Sequence, residues 1–122
     1  MEKAEDPRYD FQRLEVYRKA LDFAERVFRL TEEFSPKIQH SLGDQFRRAA
    51  LSVCNNVAEG AQKRGPSKRQ FYGYALDSAR ECVPMIELAH RLGLLAKDSE
   101  VTLSSECFHI CNMLYRLIQS TS

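Results

Sequence analysis

Two Glu-x-x-His pairs, Glu87 with His90 and Glu106 with His109, set a carboxylate and an imidazole one helical turn apart. That spacing ligates metals in di-iron helical bundles, provided the side chains point inward and each remaining helix adds a glutamate. Read on a helix, Glu106 and His109 fall opposite Cys111 and Ile118, and Glu87 falls at the edge of its apolar arc. They face away from a core, so no metal site is expected. Cys107 and Cys111 share a face and could supply half of a zinc site, but neither His40 nor His90 is placed to complete it. A packed, reduced pair is the better account. No serine or cysteine comes with an evident base and oxyanion donor, and no glycine-rich phosphate loop is present. The expectation is therefore no catalytic residue, no cofactor and no enzyme.

The remaining chemistry is positive charge. Lys63, Arg64, Lys68 and Arg69 bracket the Gly65-Pro66 pair, and Arg47 and Arg48 lie further back, too distant to share one contact unless neighbouring subunits bring copies together. These six are the candidate nucleic-acid-binding residues. Cations that end a helix are favoured by its dipole, so such a cluster can be no more than a solvated helix end. Lys68 and Arg69 differ, because they begin the next helix and oppose its dipole. A bound phosphate, itself welcome at a helix N-terminus, would offset that cost.

The elements that position these residues are helices. The stretch Gln45 to Arg69 carries the longest helical signal, with Leu42, Phe46, Ala49, Val53, Val57 and Gly60 in one stripe and Ala50, Cys54, Ala58 and Ala61 beside it. Glu59 stands one turn before Lys63, in the order that favours an ion pair. Gly65 and Pro66 should stop this helix after Arg64. Ser67 with Gln70 then reads as a capping box opening the next.

Elsewhere, Asp10 reads as the N-cap of a first helix from about Phe11 to Phe34. It carries two apolar stripes: Leu14, Tyr17, Leu21, Ala24, Phe28, and Val16, Ala20, Phe23, Val27, Leu30, Phe34. A lone bundle needs only the first; the second either widens the core or meets another subunit. Ser35-Pro36 marks a turn, and the second helix starts near Ser41. The third runs from Lys68 to Leu92, burying Phe71, Ala75, Ser78, Cys82, Met85 and Ala89, with a second stripe of Tyr72, Leu76, Ala79, Val83 and Ile86. Pro84 should bend or loosen it, and Gly93 should end it. The fourth begins after Asp98 or Ser99 and reaches about Gln119, with Leu103, Cys107, Ile110, Cys111, Leu114, Leu117 and Ile118 inward. Short turns between four helices predict an all-α, antiparallel, up-and-down four-helix bundle. Doubled stripes on helices one and three predict that copies of the chain cover one another.

The 122 residues, 43% of them apolar, suit a single domain over residues 11–119 behind a flexible lead of residues 1–10. Eighteen Lys plus Arg against 17 Asp plus Glu leave a formal charge of +1, so any polyanion binding must come from local clusters. No secretory signal and no run of about 18 apolar residues is seen, which predicts a cytoplasmic chain that does not enter a membrane. Cys54, Cys82, Cys107 and Cys111 all fall inside predicted helices among apolar neighbours, as reduced thiols do.

The block Gln45, Arg47-Arg48-Ala49-Ala50-x-Ser52-Val53, followed by Asn56-Val57-Ala58-Glu59-Gly60, Arg64, Lys68 and Phe71, resembles the small four helix bundle protein family. Leu14-Glu15-Val16-Tyr17 with Ala20, then Leu30-Thr31 and Phe34, extend the likeness over about Phe11 to Leu94. That family was first noticed as open reading frames within intervening sequences of bacterial large-subunit ribosomal RNA genes. The resemblance implies an antiparallel four-helix bundle that assembles into a ring-like homopentamer. The chain is also similar to the accessory protein of diversity-generating retroelements, a related pentameric bundle that binds nucleic acid. Arg47, Arg48, Lys63, Arg64, Lys68 and Arg69 match basic positions of those motifs. Three departures are visible: Cys54-Asn55 where the family commonly has proline, Asp77-Ser78 in place of its small-residue pair, and Pro84. The expected function is a non-enzymatic homo-oligomeric scaffold binding RNA or DNA through the turn between helices two and three. The alternative is a protein-interaction module that never touches nucleic acid.

Overall fold

A computed structural model of the chain describes residues 10–122. The expected lead of residues 1–10 lies, but for Asp10, outside the described residues. Asp10 opens a 3-10 turn, Asp10–Arg13, rather than capping a long helix. The first bundle helix, α1, is Glu15–Thr31. It stops at Thr31, whose hydroxyl bonds the carbonyls of Val27 at 2.8 Å and Phe28 at 3.2 Å. The second helix, α2, starts earlier than expected. Ser35 is its N-cap and Pro36 takes the first turn, where a missing N–H costs nothing. Pro36–Ile38 runs through a π-helical turn, Gln39–Gly43, into Asp44–Ala61 with helical dihedrals at each junction. The third helix, α3, is Gly65–Arg91, and the fourth, α4, is Lys97–Ser120. α3 continues through Pro84 without a break. Gly93, at φ +76°, ends the α3 turn as expected.

The π turn is knitted by Arg47. Its guanidinium donates to Gln39 Oε1 at 2.8 Å, the Gln39 carbonyl at 3.2 Å and Asp44 Oδ1 at 2.7 Å, and the side chain is only 19% exposed.

Contacts between helices run in opposite senses. Ser52 meets Ser78 and Gly60 meets Tyr72, so α2 and α3 are antiparallel. Cys107 bonds the Ala79 carbonyl while His90 faces Glu100, which sets α4 antiparallel to α3. Arg26 pairs with Glu106 while Leu14 shares a depression with Leu117, so α1 opposes α4. The four helices therefore alternate up and down, α1 beside α2 and closing on α4 across the loosest seam.

Phe23, Phe46, Val53, Val57, Ile86, Ile110 and Leu114 fill the core, with Ala20, Ala50, Ala75 and Ala89 fully buried between them. Alanine at these seams lets the axes approach. At Gly60 the approach is close enough that an added Cβ would lie 2.8 Å from the Tyr72 ring.

The two stripes of α1 exchange the roles expected of them. Val16, Ala20, Phe23 and Val27 are the core face, whereas of the first stripe only Ala24 is buried, Leu21 and Phe28 being exposed and Leu14 and Tyr17 half-buried. On α3 both stripes merge into one broad buried face. Val83 alone of the second stripe is exposed, and Phe71 and Met85 of the first are half-buried. The reason is the same in both: each helix lies between two neighbours, so its buried arc spans both seams. The oily surface left outside α3 belongs to Tyr74, Leu88 and Leu92, with Val83. On α4 the expected inward residues are buried or half-buried, and a stripe not expected, Val101, Phe108 and Tyr115, is exposed.

Gly60→Ala gains up to about 1 kcal/mol of helix propensity and loses about 1–3 kcal/mol by overpacking against Tyr72. The denaturation midpoint should fall, and an unchanged midpoint would show that the ring can swing aside. Arg47→Met keeps the aliphatic stem and removes all three bonds of the π turn. It should cost about 1–3 kcal/mol in equilibrium unfolding, with loss of amide protection concentrated at residues 39–44.

Candidate nucleic-acid interface

The α2/α3 corner is built from backbone first. After Ala61 the amides of Gln62 and Lys63 turn back to the carbonyls of Glu59 at 3.1 Å and Gly60 at 3.0 Å, which ends α2 three residues before Arg64. Arg64 is extended and is the N-cap of α3, without a side-chain cap. Gly65 takes φ +54°, a left-handed conformation open to glycine, and Pro66 fills the first turn. This moves the start of α3 ahead of Ser67. The expected capping box of Ser67 with Gln70 therefore does not form, because Ser67 is already inside the helix.

Four cations surround this corner, and between Val57 and Tyr72 the only carboxylate is Glu59. Lys63 pairs with Glu59 at 3.2 Å and lies 5.7 Å from the centre of the Phe71 ring. Lys68 donates to the Ala61 carbonyl at 3.2 Å and lies 5.2 Å from the Tyr72 ring centre. Arg69 donates to the Thr121 carbonyl at 3.1 Å. Arg64 is exposed and has no side-chain partner among the described residues. Lys68 and Arg69 thus find acceptors at the carbonyl ends of α2 and α4, which offsets their unfavourable place at the start of α3. No phosphate is required for that. The contact of Arg69 with a residue 52 positions away had no signal in the sequence.

The two remaining candidates separate. Arg47 is turned inward on the π turn, as above. Arg48 is exposed on the outer face of α2, away from the corner, with no partner among the described residues. The structure therefore brings Lys63, Arg64, Lys68 and Arg69 together and leaves Arg47 and Arg48 apart.

Sequence reading missed the aromatic neighbour of this corner. Phe71 and Tyr74 pack edge to face at 5.6 Å, and Tyr74 is 45% exposed. An exposed ring beside cations is the combination on which single-stranded bases stack. The signal was available as Phe71-x-x-Tyr74 one turn past the basic residues.

The other candidates are structural. His90 Nδ1 lies 3.1 Å from the Leu95 carbonyl and Nε2 is 3.7 Å from Glu100, while Glu106 binds Arg26 at 2.7 Å. Glu87 and His109 are exposed. Among the described residues no three of His, Cys, Asp and Glu converge on a metal-sized space. All four cysteines are free; Cys54, Cys82 and Cys107 are buried and Cys111 is half-buried. Burial pushes the Cys54 and Cys82 thiols up, to about 11 and about 12. Among the described residues no helix is long and apolar enough to cross a membrane.

A solved structure gives the fold an independent parallel. It is a protein of unknown function from the S23 ribosomal protein family of Bacteroides thetaiotaomicron, and it superposes with a TM-score of 0.79. The match covers 86% of this chain and 96% of that one at 21% identity, so it speaks for architecture. No curated protein matches the chain in sequence. The family model described as 23S rRNA-intervening sequence protein matches residues 12–116, from the 3-10 turn almost to the end of α4. The chain belongs to the 23S rRNA-intervening sequence protein family.

Proposed function

We propose that the chain is a non-enzymatic, homo-oligomeric helical scaffold of the cytoplasm that binds RNA or DNA at the α2/α3 corner, through phosphates and with little sequence choice. The observation that carries this reading is the corner itself: four cations with Glu59 as the only side-chain carboxylate between Val57 and Tyr72 in the sequence, an exposed Arg64 without a side-chain partner among the described residues, and Tyr74 packed on the Phe71 ring that Lys63 approaches. A whole-molecule charge of +1 supplies no general attraction, so one corner binds weakly and several copies held together bind usefully. Self-association is supported by Leu21 and Phe28 on α1 and by Val83, Leu88 and Leu92 on α3, all exposed. Five copies is the number that the family resemblance implies.

A second reading, a protein-interaction module without nucleic acid, is favoured by the exposed stripe Val101, Phe108 and Tyr115 on α4, the residues being 55%, 62% and 53% exposed. An apolar stripe of that kind suits an amphipathic helix of a partner.

Light scattering at micromolar concentration should give a multiple of the chain mass, and Leu21→Glu with Phe28→Glu should return it to one chain. A wild-type protein that stays single at that concentration overturns the scaffold. For the corner, affinity for a labelled oligonucleotide should fall steeply with salt. Lys63→Gln with Arg64→Glu should weaken binding and lower the slope of log affinity against log salt by about 1 for each phosphate no longer neutralised, leaving the oligomer intact. Undiminished binding by that variant removes the corner, and no binding at low salt by the wild type favours the second reading.

A further inference from the structure

Tyr74 is an exposed ring braced on one side. Phe71, one turn back on α3, meets it edge to face, with the centroids 5.6 Å apart and the planes at 88°. Successive residues on a helix are turned by about 100°, so Gly73 lies on the flank of Tyr74 away from Phe71. A Cβ at Gly73 would meet nothing within 4 Å. No contact among the described residues therefore calls for a glycine there, inside a 27-residue helix that it weakens. What it leaves is bare backbone beside a ring that is 45% exposed, where a flat partner can lie close.

The charge around this ring is uneven. Toward the corner, Lys63 lies 5.7 Å from the centre of the Phe71 ring, and Arg64 is exposed without a side-chain partner among the described residues. Away from the corner, Asp77 stands one turn past Tyr74 and Glu81 one turn further, both exposed. A polyanion is thus drawn to the corner and turned back beyond Tyr74. Arg64 and Tyr74 are about 15 Å apart along α3 at the helical rise, the reach of a few nucleotides. A duplex hides its base faces in its own stack and offers this ring nothing. A single strand has them free.

We propose that the ligand of the corner is single-stranded nucleic acid, one base of which stacks on Tyr74 over the open flank of Gly73 while the neighbouring phosphates meet Arg64 and Lys63. The inference rests on the reading of the corner as a nucleic-acid surface, and adds the choice of strand form that phosphate contacts do not make. It also gives Tyr74 a share of the affinity that salt does not screen.

The test compares a labelled oligouridylate with the same strand annealed to oligoadenylate, on the full chain over a series of salt concentrations. The single strand should keep more of its affinity as salt rises, because stacking is not ionic. Tyr74→Leu should weaken single-strand binding about tenfold. It should leave duplex binding and the salt slope as they were, since no cation is lost. Tyr74→Trp should bind as the wild type does and gives the chain a tryptophan that its sequence otherwise lacks. Indole emission should fall as oligouridylate saturates the protein and stay constant with the duplex. Equal losses on both strand forms by Tyr74→Leu, no loss on the single strand, or emission that oligouridylate does not change overturns the proposal, and salt-dependent binding in those same experiments leaves the corner standing. A wild type that binds neither form at low salt overturns both.

Discussion

The structure depends on how closely the backbone of α2 approaches the ring of Tyr72. Gly60 leaves the space of one Cβ, and the ring takes it. Because the glycine is the last residue but one of α2, this approach fixes where α3 starts back. The same seam carries a small polar layer: the Ser52 and Ser78 hydroxyls lie 2.8 Å apart, and Asn56 donates to the Ser52 carbonyl and hydroxyl at 2.9 and 3.0 Å. A half-buried hydroxyl pair satisfied in one register and left unpaired in others holds the two helices against sliding. Of the residues that carry much of the family likeness, Asn56 and Gly60 act in packing this hairpin, and Glu59 is an exposed partner for a cation of the corner. Glu59 holds Lys63, Asn56 holds Ser52, and Gly60 admits Tyr72.

Once the hairpin is set, the electrostatics of the corner follow. Helix ends leave carbonyls without partners, and three helix termini meet here: the end of α2, the start of α3 and the end of α4. Lys68 and Arg69 serve the two carbonyl ends from the amide end of the third. The corner is thus internally consistent with no ligand, and what it still presents outward is Arg64 and the outer edge of Lys63. A binding surface of this kind gains from repetition, because each copy offers few free cations.

The apolar surface has a related origin. Small residues line the seams, with Ala20, Ala50, Ala75, Ala79 and Ala89 nearly or fully buried, so the helices sit close and the interior has little volume to fill. Large side chains then remain outside, most of them on three helices: Leu21 and Phe28 on α1, Leu88 and Leu92 on α3, Phe108 and Tyr115 on α4. Several exposed large residues on each of these helices amount to more than the scattered apolar side chains usual on a soluble surface. The loosest seam, α1 against α4, is held by the Arg26–Glu106 pair at its middle, with shallow depressions opening at both ends.

Local pattern decided much of this. Helical periodicity marked four helices and their approximate ends, Gly93 marked the α3 stop, the Glu59–Lys63 pair was legible from its spacing, and the basic residues announced the corner by their density. Those properties belong to residues within a turn or two of one another. What local pattern could not decide was which of two apolar stripes on α1 faces the core, because periodicity gives the angle of a stripe and not the direction of its neighbour. Nor could it place the α3 start at Gly65, the π turn that consumes Arg47, or the Thr121 carbonyl that holds Arg69. Each of these rests on groups brought together only when the helices pack, and the energy that selects them, a satisfied carbonyl or a filled space beside a glycine, exists only between elements.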